Sequence, residues 1–457
     1  MQNNTERIKR TTSNSRSPSC ITSRWFATCA VFVSLAVVLF PSTSRGQGPL
    51  TNGYMHQGTI APMTDMDSWT FSANSNDLIV IRVGEISQTN QFRLRIMLYN
   101  SSSVLVASNS AADDLVLAVG IVITATNADT FTLKVDDARS VATGTYRLTL
   151  AQSPGAITVS PGDEGGPMTN GVMHTGSLPV GDLDLWSFTA NVGDRIVVRM
   201  GEVTTVNNFE PSIRLYGPDG TLLGSTAVGN SVKSAEVAVT NTTNGMFTVV
   251  VGEREGTTAG DYRLTLAQSP GAITVSPGDE GGPMINAVVY TGTISNGDLD
   301  VWTFNACEGA GLNLRVDELP GAIRFDPTLR LYAPNGTLLA NVSGATTAQI
   351  NLTAPALGGY TLIVGDTLVA GDTGANTGTY QLTGIGIWTD FILCKPLING
   401  TNLIIQSVGG PAGSNYVLLT ATNVASPLNT WTPIRTNQFG TFGEFYVTNL
   451  FSPTIPQ

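Results

Sequence analysis

Histidine, lysine and charge are what this chain has least of. Its 457 residues include two histidines, four cysteines and four lysines, and only 12% are charged, about half the roughly 25% of an ordinary globular domain. Two histidines leave little from which to build a Ser-His-Asp triad or a His-rich zinc site. No Gly-x-Ser-x-Gly elbow, His-Glu-x-x-His pair or phosphate-cradling Gly-rich loop occurs. No segment sustains a 3.6-residue apolar period, which argues against helices as the main element. Apolar residues at 42% nevertheless supply a core and exclude wholesale disorder. The length suggests about three or four domains.

Basic residues concentrate at the start. Arg7, Lys9, Arg10, Arg16 and Arg24 precede an apolar run, Trp25–Phe40, broken only by Thr28, Cys29 and Ser34. The run is shorter than the ~20 residues of a membrane span, and the pattern reads as an export signal. Ser44 and Gly46 put small residues where cleavage before Gln47 is expected; the alternative is an uncleaved membrane anchor. Removing residues 1–46 leaves 17 Lys+Arg against 33 Asp+Glu, a net charge of −16, and no transmembrane span. So acidic a chain is not expected to bind nucleic acid, whose phosphates need a basic face. The expected location is extracellular or at the cell surface, with the periplasm as the remaining exported compartment. Of the cysteines, only Cys307 and Cys394 then remain. In an exported chain they suggest one disulfide, which contributes ~4 kcal/mol in the chain-entropy picture; two buried thiols are the alternative.

Repetition dominates the rest. Residues 146–168 (YRLTLAQSPGAITVSPGDEGGPM) recur unchanged at 262–284, and Trp186 and Tyr216 recur at Trp302 and Tyr332 with the same 116-residue spacing. An upstream copy carries Trp69 and Tyr99, each 117 residues earlier. Units of this length are whole domains in tandem rather than solenoid repeats. Inside the second unit, short alternating segments lie between Gly, Pro and Asn/Asp turns such as Gly217-Pro218-Asp219-Gly220. Eight strands are expected, at 172–177, 184–190, 195–202, 212–217, 221–225, 235–240, 246–252 and 261–267. Eight strands without a helix imply an all-β architecture of three tandem jelly-roll-like β-sandwich domains. The boundaries expected are 47–152, 165–268 and 281–386, with a small β-rich C-terminal module at 397–457.

The stretches Gly-Asp-Leu-Asp-Leu-Trp-Ser-Phe (181–188) and Gly-Asp-Leu-Asp-Val-Trp-Thr-Phe (297–304) carry a resemblance. So do the segments from Phe209 to Gly220 and from Phe325 to Gly336, and the closing Gly260-Asp-Tyr-Arg-Leu-Thr-Leu. Together they resemble bacterial pre-peptidase C-terminal (PPC) domains, in three copies over residues ~50–384. The first copy departs most: Thr64-Asp-Met-Asp-Ser-Trp replaces the Gly-Asp-Leu-Asp opening, and Asn100-Ser-Ser-Ser replaces the Pro-Asp-Gly turn. The tail carries Tyr416, Trp431, Phe439, Phe442, Phe445 and Tyr446, and its run Gly413-Ser-Asn-Tyr-Val-Leu-Leu, Trp431-Thr-Pro-Ile and Gly443-Glu-Phe resembles a small C-terminal β-module of exported bacterial proteins. That resemblance implies a further strand beyond Pro456-Gln457.

The candidate chemistry is carboxylate chemistry. Asp182 and Asp184, and Asp298 and Asp300, are spaced i, i+2, which puts both side chains on one face of a strand or at its edge. About twenty residues upstream stand Asp163-Glu164 and Asp279-Glu280 in Gly-rich linkers. Such hard oxygen donors suit Ca²⁺, which takes six to eight oxygens, and the PPC resemblance implies calcium held by linker and strand-start acids. The alternative is a set of turn and cap carboxylates beside solvent. The first copy has Asp65 and Asp67 but Arg45-Gly46 in place of the linker acids, so no full site is expected there. His56 and His174 share one repeat position, taken by Tyr290 in the third copy, and read as strand-surface residues. Trp69, Trp186 and Trp302, with Phe71, Phe188 and Phe304, read as core, a carbohydrate-stacking row being the alternative.

These readings make the chain an exported, non-catalytic protein of the cell surface or medium. It would bind or space an extracellular polymer or surface protein, with weak Ca²⁺ sites stiffening its linkers. A secretion or stability accessory without a ligand is the runner-up, and a carboxylate-based hydrolase the third reading.

Overall fold

The computed structural model describes residues 47–450 except 88–90, 204–207, 230–231, 322–324, 369–376 and 441–442. The expected export signal at 1–46 and the end of the C-terminal module lie outside the described residues. Among those described, the chain is all-β: helix is confined to a 3-10 turn at Leu428–Thr430, and no helix is long and apolar enough to cross a membrane.

Three sandwich units follow one another, each with a five-stranded and a four-stranded sheet. In the second unit, the five-stranded sheet runs in the order Gly165–Pro167, Leu183–Ala190, Gly245–Glu253, Pro211–Tyr216, Leu222–Ala227. The four-stranded sheet runs Met173–Leu178, Gly260–Ser269, Arg195–Glu202, Ser234–Thr240. All the strands expected in this unit are present to within a few residues. One was missed. Gly165–Pro167 pairs in parallel with the Trp186 strand, and a Gly-Gly-Pro segment shows no apolar alternation by which to read it. The first and third units repeat both sheet orders.

Each unit fills its interior from alternate positions on its strands, the period-2 geometry of a half-buried sheet. Trp186, Phe188, Val198, Phe209, Phe247 and Tyr262 are all buried in the second core, and the equivalent residues line the other two. Phe71 stacks on Phe131, Phe188 on Phe247 and Phe304 on Tyr360, each with centroids 5.4 Å apart. The repeated tryptophans are therefore core residues and form no exposed row.

The C-terminal unit holds a sheet in which Asn402–Val408 pairs with Ile392–Leu393, Leu397–Asn399 and Phe445–Leu450, and a separate hairpin of Asn415–Thr420 with Thr432–Gln438. Its pairing begins at Ile392, before the expected start at 397. Cys307 and Cys394 are joined as a disulfide, in a small buried cluster with Val408 and Trp388 that ties this unit to the third sandwich.

Candidate functional site: the acidic joints

Successive sandwiches are docked, and the candidate acids lie where they meet. On the first unit, Leu78, Val80 and Ala151 stand on the outer face of the four-stranded sheet; they pack against Leu183, Leu185, Tyr216 and Val250 on the outer face of the next unit's five-stranded sheet. The second joint repeats this with Val197 and Ala267 against Leu299, Val301, Tyr332 and Ile363. Apolar residues on both faces of a strand imply that both faces are covered. Leu183, Leu185 and Val197 at outward positions carried that signal, which the reading of isolated sandwiches did not use.

The approach is close enough to require glycine. A Cβ built on Gly84 would collide with the Val180 carbonyl oxygen and the Gly181 Cα, and one on Gly201 with Gly297 N. Gly181 and Gly297 have φ of 79° and 80°, a left-handed conformation open to glycine at little cost. The leading Gly of the Gly-Asp-Leu-Asp motif is thus a docking residue. The first copy has no preceding sandwich among the described residues, and Thr64 stands there.

Within the joint the linker acid and both strand-start acids converge. One carboxylate oxygen from each of Asp163, Asp182 and Asp184 lies within 4.8 Å of the others, and Asp279, Asp298 and Asp300 form the same trio at the second joint. Asp182, Asp184, Asp298 and Asp300 are buried, so they are not solvent-facing turn or cap carboxylates. Glu164 and Glu280 stand apart: each accepts a backbone bond across the strand edge, from Ser177 N and Thr293 N, both at 3.2 Å.

Half of each buried carboxylate is committed to the fold. Asp184 Oδ2 accepts from the Tyr262 hydroxyl at 2.6 Å, which itself accepts from Trp186 Nε1 at 3.0 Å. The chain Trp302–Tyr380–Asp300 repeats this, as does Trp69–Tyr146–Asp67 in the first sandwich. Asp182 Oδ1 accepts from Leu183 N and, across the joint, from Thr149 Oγ1 at 3.0 Å. The other oxygens, Asp182 Oδ2, Asp184 Oδ1, Asp298 Oδ1 and Asp300 Oδ1, are buried without a hydrogen-bond donor. Unsatisfied buried carboxylate oxygens are expensive.

Electrostatics agree with the geometry. Burial, reinforced by Asp182, pushes Asp163 up to about 6. Burial with Asp279 beside it pushes Asp298 up to about 7. Asp184 and Asp300 are driven well above the carboxylate range by burial and then by Asp182 and Asp298 respectively. Like charges in a dry site favour a bound proton or a cation. Hard, anionic, orphaned oxygens are the donor set of a hard divalent cation, and these residues fit Ca²⁺.

In the first sandwich Asp67 is buried but Asp65 is half-exposed, its carboxylate accepting from Ala61 N and Met66 N. Positions 45–46 are outside the described residues. His56 and His174 are half-buried, which departs from the strand-surface reading. Each ring packs on a core tryptophan, with centroids 5.1 Å and 4.8 Å apart, and each Nε2 accepts from the backbone N five residues upstream. Tyr290 does both jobs in the third copy, packing on Trp302 and accepting from Ile285 N. A position filled by either His or Tyr is selected for a ring and an acceptor.

The fold and site together define a class: a multidomain all-β protein of repeated sandwiches with acidic joints. No family model and no curated protein matches this chain. Among solved structures it is similar to the pre-peptidase C-terminal domain of a collagenase from Bacillus anthracis, at 23% identity over 24% of this chain and 99% of that one, with a TM-score of 0.18. It is also similar to an archaeal virus protein described as a triple jelly roll with turret assembly, at 14% identity over 73% of this chain and 89% of that one, TM-score 0.16.

Proposed function

We propose that this chain is an exported, non-catalytic spacer of the bacterial cell surface or medium. In this reading three PPC-like sandwiches carry the C-terminal module, and calcium at each joint stiffens the array. The observation that carries it is the pair of donor-free buried oxygens at each joint, Asp182 Oδ2 with Asp184 Oδ1 and Asp298 Oδ1 with Asp300 Oδ1. Asp163 and Asp279 would complete the two sites, closing the linker against the sandwich it precedes. Bound calcium supplies the positive charge that the trios lack. The Thr149 bond to Asp182 joins the first site to the preceding sandwich, so cation binding and docking reinforce one another.

The non-catalytic reading is supported by the residues that catalysis would need. Both histidines are engaged in fixed ring and backbone contacts, and the buried acids are half-committed to tyrosines and backbone amides. Binding to an extracellular polymer or surface protein would come from several weak contacts acting together. Co-sedimentation with collagen, chitin, cellulose and peptidoglycan, in Ca²⁺ and in EGTA, tests the assignment. Retention by one polymer names a ligand class. Retention by none leaves the spacer, and a melting curve identical in Ca²⁺ and EGTA removes the calcium sites.

A further inference from the structure

Docking has a direction: the four-stranded sheet of one sandwich faces the five-stranded sheet of the next. A head-to-tail contact of this kind does not close on itself, and if the two free ends matched, copies of the chain would add to one another without limit. Among the described residues the two outermost faces carry no further sandwich, and they do not match.

On the third sandwich, strand register places Asp317 where Gly84 and Gly201 dock, opposite Gln381 where the first two units have Arg147 and Arg263. Those arginines donate across their joints to the Val180 and Asn296 carbonyls, both at 3.0 Å. Asn313 replaces Val80 and Val197 by the same register, and it and Asp317 are part-exposed. Asp317 is instead paired with exposed Arg315 of its own strand.

On the first sandwich, the opposite face is altered in step. Ser68 and Lys134 stand where Leu185 and Val250, and Val301 and Ile363, fill the two joints. Lys134 Nζ sits 5.2 Å above the ring of Tyr99, whose counterparts Tyr216 and Tyr332 are 1% exposed in the joints. Asp136, bonded to Arg95 with Nε to Oδ1 at 2.8 Å, occupies the register position of Gly252 and Gly365. Both ends of the array are therefore polar where both internal joints are apolar, and each lacks a glycine that close approach demands, Thr64 standing for Gly181 and Gly297 at one end and Asp317 for Gly84 and Gly201 at the other.

We propose that the two free ends are blocked against head-to-tail addition of a further sandwich, so that the array stops at three and copies of the chain do not polymerise through it. Asp317 alone suffices at its end, because its Cβ would fall where Gly201 meets the backbone of Gly297.

The test moves the block inward and then removes it. Gly201→Asp, in the chain from Gln47 onward, installs at the second joint the residue that ends the third sandwich. The strand itself accepts aspartate, since Asp317 occupies that register in a folded sheet. The expected result is loss of docking: the linker at 270–280 becomes a protease site while the near-ultraviolet spectrum of the sandwich cores is retained. Gly311→Asp, at a glycine with nothing within 4 Å of its Cβ, leaves the linker protected. In sedimentation velocity over a wide concentration series, the natural chain is expected to remain one monomeric species. A chain with both ends restored (Asp317→Gly, Asn313→Val and Gln381→Arg, with Thr64→Gly, Ser68→Leu, Lys134→Val and Asp136→Gly) is expected to gain mass with concentration. A docked, protected joint in Gly201→Asp overturns the proposal. So does head-to-tail association of the natural chain, or a restored chain that keeps the parent's melting temperature and stays monomeric.

Discussion

The two joints share an apolar frame and differ in what fills it. In the first, Arg82 is buried and donates through Nη1 and Nη2 to the carbonyls of Glu253 and Arg254 in the next sandwich, at 2.6 and 3.2 Å. Opposite Arg82 in its own sheet is Gly120. In the second, Arg199 faces Glu236 at that register, and Glu236 bonds Arg199 at 2.7 Å and Arg330 of the third sandwich at 2.8 Å. One change, glycine to glutamate, thus accompanies a switch from a carbonyl-satisfied arginine to an ion triad across the joint. A buried cation can be satisfied by backbone or by charge, and near-identical repeats use both.

The sharpest way to break the comparison is to remove the glutamate. Glu236→Gln leaves Arg199 and Arg330 facing each other in a site where their side chains are 2% and 15% exposed. Removing one partner of a buried ion network destabilises by about 3–5 kcal/mol. The expected outcome is cleavage of the 270–280 linker in limited proteolysis while the linker at 154–164 stays protected. Acid has the same direction of effect here. Burial alone would raise Glu236, but Arg199 and Arg330 together hold it below its ordinary value. A depressed carboxylate contributes stability above its unfolded value, and that contribution is lost as pH falls through its folded value.

Calcium, if it fills the two trios as proposed, acts on both joints and comes next in size. With dissociation constants of 10⁻⁴–10⁻³ M, usual for extracellular modules, Ca²⁺ at ~10 mM stabilises each occupied site by roughly 1.5–3 kcal/mol. Differential scanning calorimetry in Ca²⁺ against EGTA should show the shift, and Asp182→Asn with Asp298→Asn should remove it.

Arg82→Met sharpens the contrast from the other side. The carbonyls of Glu253 and Arg254 lose their donors, an expected loss of about 1–3 kcal/mol at the first joint alone. Proteolysis should then favour the 154–164 linker, the reverse of the Glu236→Gln pattern.

The smallest effect is one the two joints share, a pH dependence without calcium. Asp163 at about 6 and Asp298 at about 7 are both raised above the unfolded carboxylate, near 3.9. Their contribution to stability is full below that unfolded value and is lost as pH rises through about 6 for Asp163 and about 7 for Asp298; their counterparts Asp279 and Asp182 are raised by burial too, so both joints weaken in the same direction. In EGTA the chain should melt at a higher temperature at pH 5 than at pH 8. Added Ca²⁺ should flatten the dependence.

Much of this is legible in the sequence. The strand at Arg195–Glu202 is legible to the residue, because Ile196, Val198 and Met200 alternate after the Gly193-Asp194 turn. The acids that converge, Asp163, Asp182 and Asp184, were singled out from spacing. The burial of Asp182 is not legible, because the preceding sandwich lays Thr149 against it; Asp184 is buried inside its own sandwich on Tyr262, as Asp67 is on Tyr146 in the first copy. The Gly165–Pro167 strand was invisible because its pairing is backbone alone. The joints were half-visible: Leu183 and Leu185 at outward positions demanded a cover, but only the register shows that Val80 and Ala151 supply it. The divergence of the first copy, a loose feature in the sequence, has a physical reason in Thr64, Ser68 and Lys134 on a face that no sandwich covers among the described residues.

The most direct measurement of the central claim is isothermal titration of Ca²⁺ into the chain from Gln47 onward and into Asp298→Asn. The account predicts two sites in the natural chain, one for each acid trio, and one in the variant, with the first joint's site unchanged. Absence of binding heat at every temperature tried, or a stoichiometry that Asp298→Asn leaves at two, would contradict it.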